Sequence, residues 1–282
     1  MAHIEVIDQI SVGGFRDKAN EDRVGLAGAH VWVIDGATGL GDPFMGAGSD
    51  AAWLAQRTHE AFTRHADEPD PARLIADAAE DLIVCFEAER MRDAEHTWEL
   101  PCGSFMLASA SGAGLDLTWS GDCRALVMAA GGQVMGFGAT ALSEEAEAAL
   151  VAKLGAGGDP ARRYRQPEAL AELRAMRNVA LAHGKSMILS PDRGFLAHLK
   201  NAGISCDQAD ILLMTDGFAA AELRYGLFPA PAGLMASVRA NGLAEVARQL
   251  RRFEHETDPD GLIKPRWKRS DDATAILLKM HL

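Results

Sequence analysis

The sequence predicts an α+β fold in which antiparallel sheets are covered by helices. Three observations predict it. Short apolar runs bounded by Gly and Asp recur near 31–34, 105–111, 211–215 and 273–282, as strands do. The helical stretches are grouped between these runs and do not alternate with them one for one, as a doubly wound parallel sheet would require. Finally, Gly28-Ala29 and the turn at Gly131-Gly132 join neighbouring strand candidates by two or three residues, a connection that only antiparallel strands allow.

Taken in order, residues 3–35 read as strands. Ile4, Val6, Ile7 and Ile10 begin the pattern, Arg23–Ala27 continues it, and Val31-Trp32-Val33-Ile34 is a run suited to a strand buried on both faces. A helix is expected over about 49–66, with Ser49 or Asp50 as its cap. A second is expected over about 71–92, capped by Asp70 with Pro71 at the first helical position. Leu74, Ile75, Ala78, Ala79, Leu82, Ile83 and Phe86 give this helix one apolar face, and Cys85 is expected to be buried with it.

Residues 104–137 read as a meander of strands: Phe105–Ser111, Leu115–Gly121, Arg124–Ala129 and Gln133–Phe137. Gly112-Ala113-Gly114 turns the first pair. Residues 143–183 are rich in Ala, Glu, Leu and Arg and read as helical, interrupted by a loop at Gly155-Ala156-Gly157-Gly158-Asp159-Pro160. Strands follow at Met187–Ser190 and Ile211–Thr215 with a short helix at about 192–202 between them. Helices at about 231–240 and 242–255 and a last strand, Ala273–Leu282, complete the chain. The 282 residues are expected to form a single domain, 1–282.

Composition narrows the function. Apolar residues make up 48% and charged residues 24%, ordinary for a globular protein. Lys and Arg number 28 against 40 Asp and Glu, a net charge of −12. Such a surface repels a phosphate backbone and excludes a nucleic-acid partner. The four cysteines include no Cys-x-x-Cys pair, so neither a zinc ribbon nor a disulfide framework is implied; Cys102 reads as structural. No apolar run is long enough to span a bilayer, and a cytoplasmic location without a membrane partner is expected.

The chemistry lies in the aspartates. Asp35, Asp122 and Asp216 each follow a strand candidate beside a glycine, in Val33-Ile34-Asp35-Gly36, Trp119-Ser120-Gly121-Asp122 and Met214-Thr215-Asp216-Gly217. Asp271-Asp272 opens the last strand, and Asn20-Glu21-Asp22 opens an early one. If Gly28-Ala29 is a hairpin turn, paired residues sum to 57, and Asp22 faces Asp35. Like charges so placed repel, and a divalent cation between them reverses the sign. Hard cations such as Mg²⁺ and Mn²⁺ take carboxylate, carbonyl and water oxygens. A lone Asp-Gly is usually a turn, as Asp260-Gly261 reads here, and Asp50 and Asp70 read as helix caps. The residues alone thus point to an oxygen-rich metal site.

The ordered set Asn20-Glu21-Asp22, Val33-Ile34-Asp35-Gly36, Gly103-Ser104, Gly121-Asp122-Cys123-Arg124-Ala125, Leu212-Leu213-Met214-Thr215-Asp216-Gly217 and Asp271-Asp272-Ala273-Thr274 resembles protein phosphatase 2C, the metal-dependent Ser/Thr phosphatases of bacterial type. The resemblance covers residues 5–280. It implies two stacked antiparallel sheets flanked by helices, a four-layer α-β-β-α sandwich, with two Mn²⁺ or Mg²⁺ ions at one edge. Carried over, Asp35 bridges both ions, the Gly36 carbonyl holds one, and Asp216 and Asp271 hold the other. Asp22 and Glu21 complete the shell, Asp272 lies beside it, and Asp122 with Asp216 is the position of a third ion in some members. The implied reaction is removal of phosphate from phosphoserine or phosphothreonine in a protein, itself the product of a kinase. A hydroxide bridging ions about 3.5–4 Å apart attacks phosphorus in line.

The match departs from the family pattern in places. Asp17 stands where a phosphate-gripping Arg is common, so Arg16, beside it, is the candidate phosphate ligand; Lys18 is its alternative. Ala37 replaces a histidine general acid, which leaves a metal-bound water to protonate the leaving group. Ala220 stands where an Asp supports the third ion, and Glu222 is out of register. Residues 140–205 fall in the family's variable flap. There Arg162, Arg163 and Arg165 read as a solvated basic face, and His183 as a helix end. Two alternatives stay open: a phosphatase-like binding module with little turnover, and a small-molecule phosphatase.

Overall fold

The computed structural model describes residues 3–45, 48–111, 114–154, 159 and 162–281. The turn expected at Gly112-Ala113 and most of the loop expected at 155–160 lie outside them. Among the described residues ten strands form two five-stranded sheets in which every pairing is antiparallel. One sheet runs β1 (His3–Val12), β10 (Ala273–His281), β9 (Gln208–Met214), β6 (Arg124–Ala129), β7 (Val134–Gly138). The other runs β2 (Asp22–Ala27), β3 (His30–Gly36), β4 (Gly103–Ser111), β5 (Gly114–Ser120), β8 (Lys200–Ile204).

Strand periodicity dictates the layers, because successive side chains point to opposite faces. In β3, Val31 and Val33 pack between the sheets with Met106, Leu117, Ile211 and Ile276. Trp32 and Ile34 point outward with Phe105 and Leu107, against helices α1 (Asp50–Arg64) and α2 (Pro71–Glu89). In the other sheet Leu212, Met214 and Leu277 point outward against α5 (Asp216–Leu223), α6 (Ala230–Asn241) and α7 (Leu243–Arg252). The layers are therefore α-β-β-α. Each fully buried Leu, Ile or Phe in them contributes about 1.5–3 kcal/mol.

Local signals explain the helix limits. The Ser49 hydroxyl accepts from Ala52 N and the Asp70 carboxylate from Ala72 N, capping α1 and α2. Asp50 is not a cap. It is buried, and its carboxylate accepts from Phe44 N and Met45 N, which fixes the preceding loop on α1. Helix α7 places Leu243, Val246, Ala247 and Leu250 on one buried face, and Asp8 of β1 accepts from its first amide, Leu243 N, at 2.7 Å.

Several expectations need correction. The 104–137 run is not one meander. After β5 the chain turns through Gly121, whose φ is +82°, and crosses into the other sheet, so β5 and β6 do not pair. Met187–Ser190 is reduced to a single bridge, Gly103 to Leu189. The helix expected at 192–202 is only a 3-10 turn, Gly194–His198, followed by the edge strand β8. Helix α5 was not foreseen, and residues 143–183 divide into α3 (Ala141–Leu154) and α4 (Pro167–Ala180). Cys85 is half-buried, at the margin of the α2 stripe. Arg163 is buried rather than solvated, whereas Arg162 and Arg165 are exposed. Among the described residues no helix is long and apolar enough to cross a membrane.

Candidate metal centre

One end of the sandwich gathers the ends of β3, β5 and β9 and the starts of β2, β4, β6 and β10. The hairpin register is the one the sum of 57 requires: Asp22 lies opposite Asp35, and Ala27 opposite His30. Asp35 also lies opposite Ser104 on β4, and Gly36 opposite Gly103. A Cβ on Gly36 would sit 2.5 Å from the Ala51 carbonyl oxygen, so only glycine lets α1 approach β3 here. Asp216 opens α5 directly after β9, and Asp271 precedes β10. Gly217 closes α5 onto that segment, since a Cβ there would lie 1.9 Å from the Asp272 carbonyl oxygen.

Hydrogen bonds tie the two sheets together behind the cluster. Thr215 Oγ1 donates to Asp22 Oδ2 at 2.9 Å and accepts from Thr274 N at 3.1 Å. Asp272 accepts from Gly14 N at 2.7 Å and Glu21 N at 2.6 Å, clamping the 13–21 loop over the end of β10. Glu21 in turn accepts from the hydroxyls of Thr38 and Ser49. Ser104 Oγ donates to Asp122 Oδ1 at 2.6 Å.

Asp35, Gly36, Asp122, Asp216 and Asp271 line one cavity of 610 Å³, which also receives residues of α3 and α4. Asp22 is buried behind Asp35. Burial raises the Asp35 carboxyl well above its ordinary range, and the charges of Asp216, Asp22 and Asp122 add to the effect. Asp216 is raised in the same way, first by burial and then by Asp122 and Asp271. Asp22 is pushed up to about 8 by burial and by Asp272, against the lowering hydrogen bonds of Thr215 and Thr274. Asp35 and Asp216 share the cavity wall, and each carboxyl feels the other. Two interacting carboxyl groups favour a proton or a cation between them.

Among the described residues no three His, Cys, Asp or Glu side chains are gathered closely enough to hold a metal ion by themselves. The donor set still fits a hard cation. Mg²⁺ and its like are usually held by one or two carboxylates and keep several waters, and the cavity wall carries more carboxylates than cations.

The other predicted residues fall outside the cavity wall. Glu21 and Asp272 brace it from behind. Arg16 is exposed and does not line it, while Lys18 turns to Tyr164, donating to its hydroxyl at 3.3 Å. Glu222 is buried in an ion pair with Arg124 at 2.9 Å. The cations that do line the cavity are Arg177, Arg224 and Lys268, none of them foreseen. Arg177 donates to the Thr38 carbonyl at 3.1 Å. Arg224 pairs with Glu144 and Glu147 of α3. Lys268 pairs with Asp271, and its position three residues before Asp271 was the one available signal.

No family model matches the sequence, and no curated protein matches it. Solved structures do match the fold. The serine/threonine phosphatase PstP/Ppp of Mycobacterium tuberculosis superposes with a TM-score of 0.55 at 14% identity, over 98% of this chain and 97% of that one. The catalytic domain of PstP in complex with two manganese ions matches at 0.52 and 14%, over 100% and 99%. PppA, a regulatory component of the type VI secretion system in Pseudomonas aeruginosa, matches at 0.52 and 15%, over 98% and 96%. With two antiparallel five-stranded sheets and a helical layer on each side, the chain has the fold of the protein phosphatase 2C-type serine/threonine phosphatases.

Proposed function

We propose that the protein is a metal-dependent phosphomonoester hydrolase acting on phosphoserine or phosphothreonine in proteins. The observation that carries this is that half-buried Asp35 and Asp216 line one cavity with Asp122 and Asp271, with Asp22 directly opposite Asp35. In this reading Asp35, the Gly36 carbonyl, Asp216 and Asp271 hold two Mn²⁺ or Mg²⁺ ions. Asp22 sits behind Asp35, and Asp122, fixed by Ser104, stands beside Asp216 for a third. Divalent cations there would acidify water for attack and neutralise the phosphoryl oxygens.

The chain's own residues would then orient and enclose the ester. Arg177, tied to the Thr38 carbonyl, and Lys268 supply positive charge on the wall. Ala37 lines the cavity and carries no proton, so the leaving oxygen takes its proton from water. Residues 140–205 act as the flap, because α3 and α4 contribute Ala146, Leu150, Leu173 and Met176 to the cavity. That apolar wall also favours a second reading, a small phosphate ester with an apolar group beside the phosphate.

A panel of phosphopeptides and small phosphate esters, assayed with Mn²⁺, tests the choice. Faster turnover of phosphopeptides supports the first reading, and faster turnover of the small esters supports the second. A protein that binds Mn²⁺ yet cleaves no member would be a phosphatase-like binding module.

A further inference from the structure

The loop between α7 and β10 is built around buried charge. Asp258 accepts from Leu262 N at 2.8 Å, Ile263 N at 3.1 Å and Lys264 N at 2.9 Å. Arg266, 1% exposed, pairs with Asp258 at 2.9 Å and donates to the carbonyls of Glu254, Asp258, Lys264 and Arg269. Arg163 reaches in from outside and donates to the carbonyls of Asp260 and Arg266. So many satisfied carbonyls hold the loop in one conformation.

This loop delivers Trp267 and Lys268 to the cavity. Lys268 Nζ lies 2.6 Å from Asp271 Oδ1 and 2.9 Å from Oδ2, and its side chain is 17% exposed. Arg251 fixes the Asp271 backbone by donating to its carbonyl at 2.6 Å. Among the described residues, Asp271 is the one cavity aspartate in a salt bridge with Lys or Arg. An ammonium across both oxygens of a carboxylate occupies the edge through which a cation would bind it.

We propose that Lys268 is a built-in counter-charge that makes the two divalent-cation positions unequal. The position at Asp35 fills first. The position at Asp216 and Asp271 fills only when the ammonium leaves Asp271. This rests on the metal-dependent reading above.

The test is Mn²⁺ binding without substrate, by isothermal titration calorimetry on the full chain in the wild type, Lys268→Met and Lys268→Arg, with circular dichroism as a check on folding. The expected result is one tight Mn²⁺ and a second at least about tenfold weaker in the wild type. That gap should close in Lys268→Met and persist in Lys268→Arg. Lys268→Gln serves if the Met variant does not fold. Two Mn²⁺ of equal affinity in the wild type, or an unchanged gap in the neutral variants, overturns the proposal. No Mn²⁺ binding by any form overturns the metal-dependent reading along with it.

Discussion

Asp22 of β2 and Asp35 of β3 face each other directly across an antiparallel pair, Asp22 buried and Asp35 half-buried at the cavity wall. Like charges in this relation destabilise a sheet. In chelator, Asp22→Asn or Asp35→Asn is expected to stabilise the protein by about 1 kcal/mol, raising Tm by roughly 2–4 °C. Added Mn²⁺ should stabilise the wild type by about 2.7 kcal/mol at a hundredfold excess over Kd and Asp35→Asn far less. Thermal denaturation with and without Mn²⁺ checks both.

The same cluster sets a pH dependence for the metal-free protein. Asp22 moves from 3.8 in the unfolded chain to about 8 in the fold, and Asp35 and Asp216 move in the same direction. The folded state therefore holds more protons between these limits. Its stabilising contribution is complete below 3.8 and is lost as pH rises through about 8. Tm in chelator is expected to fall across that window, and Mn²⁺ binding at neutral pH to release protons. A Tm that rises steadily across it contradicts the assignment.

Gly217 closes α5 against the segment carrying Asp271 and Asp272. Gly217→Ala pushes these apart and separates Asp216 from Asp271. A displacement of about 1 Å can cost roughly 10²-fold in rate, so Mn²⁺-dependent turnover should fall by that order. Steady-state kinetics measures it.

Arg266 and Asp258 form a pair that is 1% and 2% exposed. Arg266→Ala leaves Asp258 buried without its partner and is expected to cost about 3–5 kcal/mol. Urea denaturation gives the value.

Much of this was legible in the sequence because the signals are local. The Gly28-Ala29 turn fixes the register that places Asp22 against Asp35, and Asp70 with Pro71 marks the start of α2. Helix α5 was missed because Asp216-Gly217 reads as a turn, and because Phe218, Ala219, Ala220, Ala221 and Glu222 are all buried, which removes the amphipathic period. Strand β8 was missed because Lys-Asn-Ala-Gly-Ile is a largely solvated edge with little alternation. The cavity cations escaped notice for a different reason. Arg177 and Arg224 come to the cavity only through the packing of α4 and α5, which no spacing in the chain records.

The most direct measurement is hydrolysis of p-nitrophenyl phosphate by the wild type and Asp216→Asn, each with Mn²⁺ and with chelator. The account predicts wild-type turnover that requires Mn²⁺ and disappears in chelator, and a fall of roughly 10²–10³-fold in Asp216→Asn. Turnover that survives both the chelator and the substitution would contradict it.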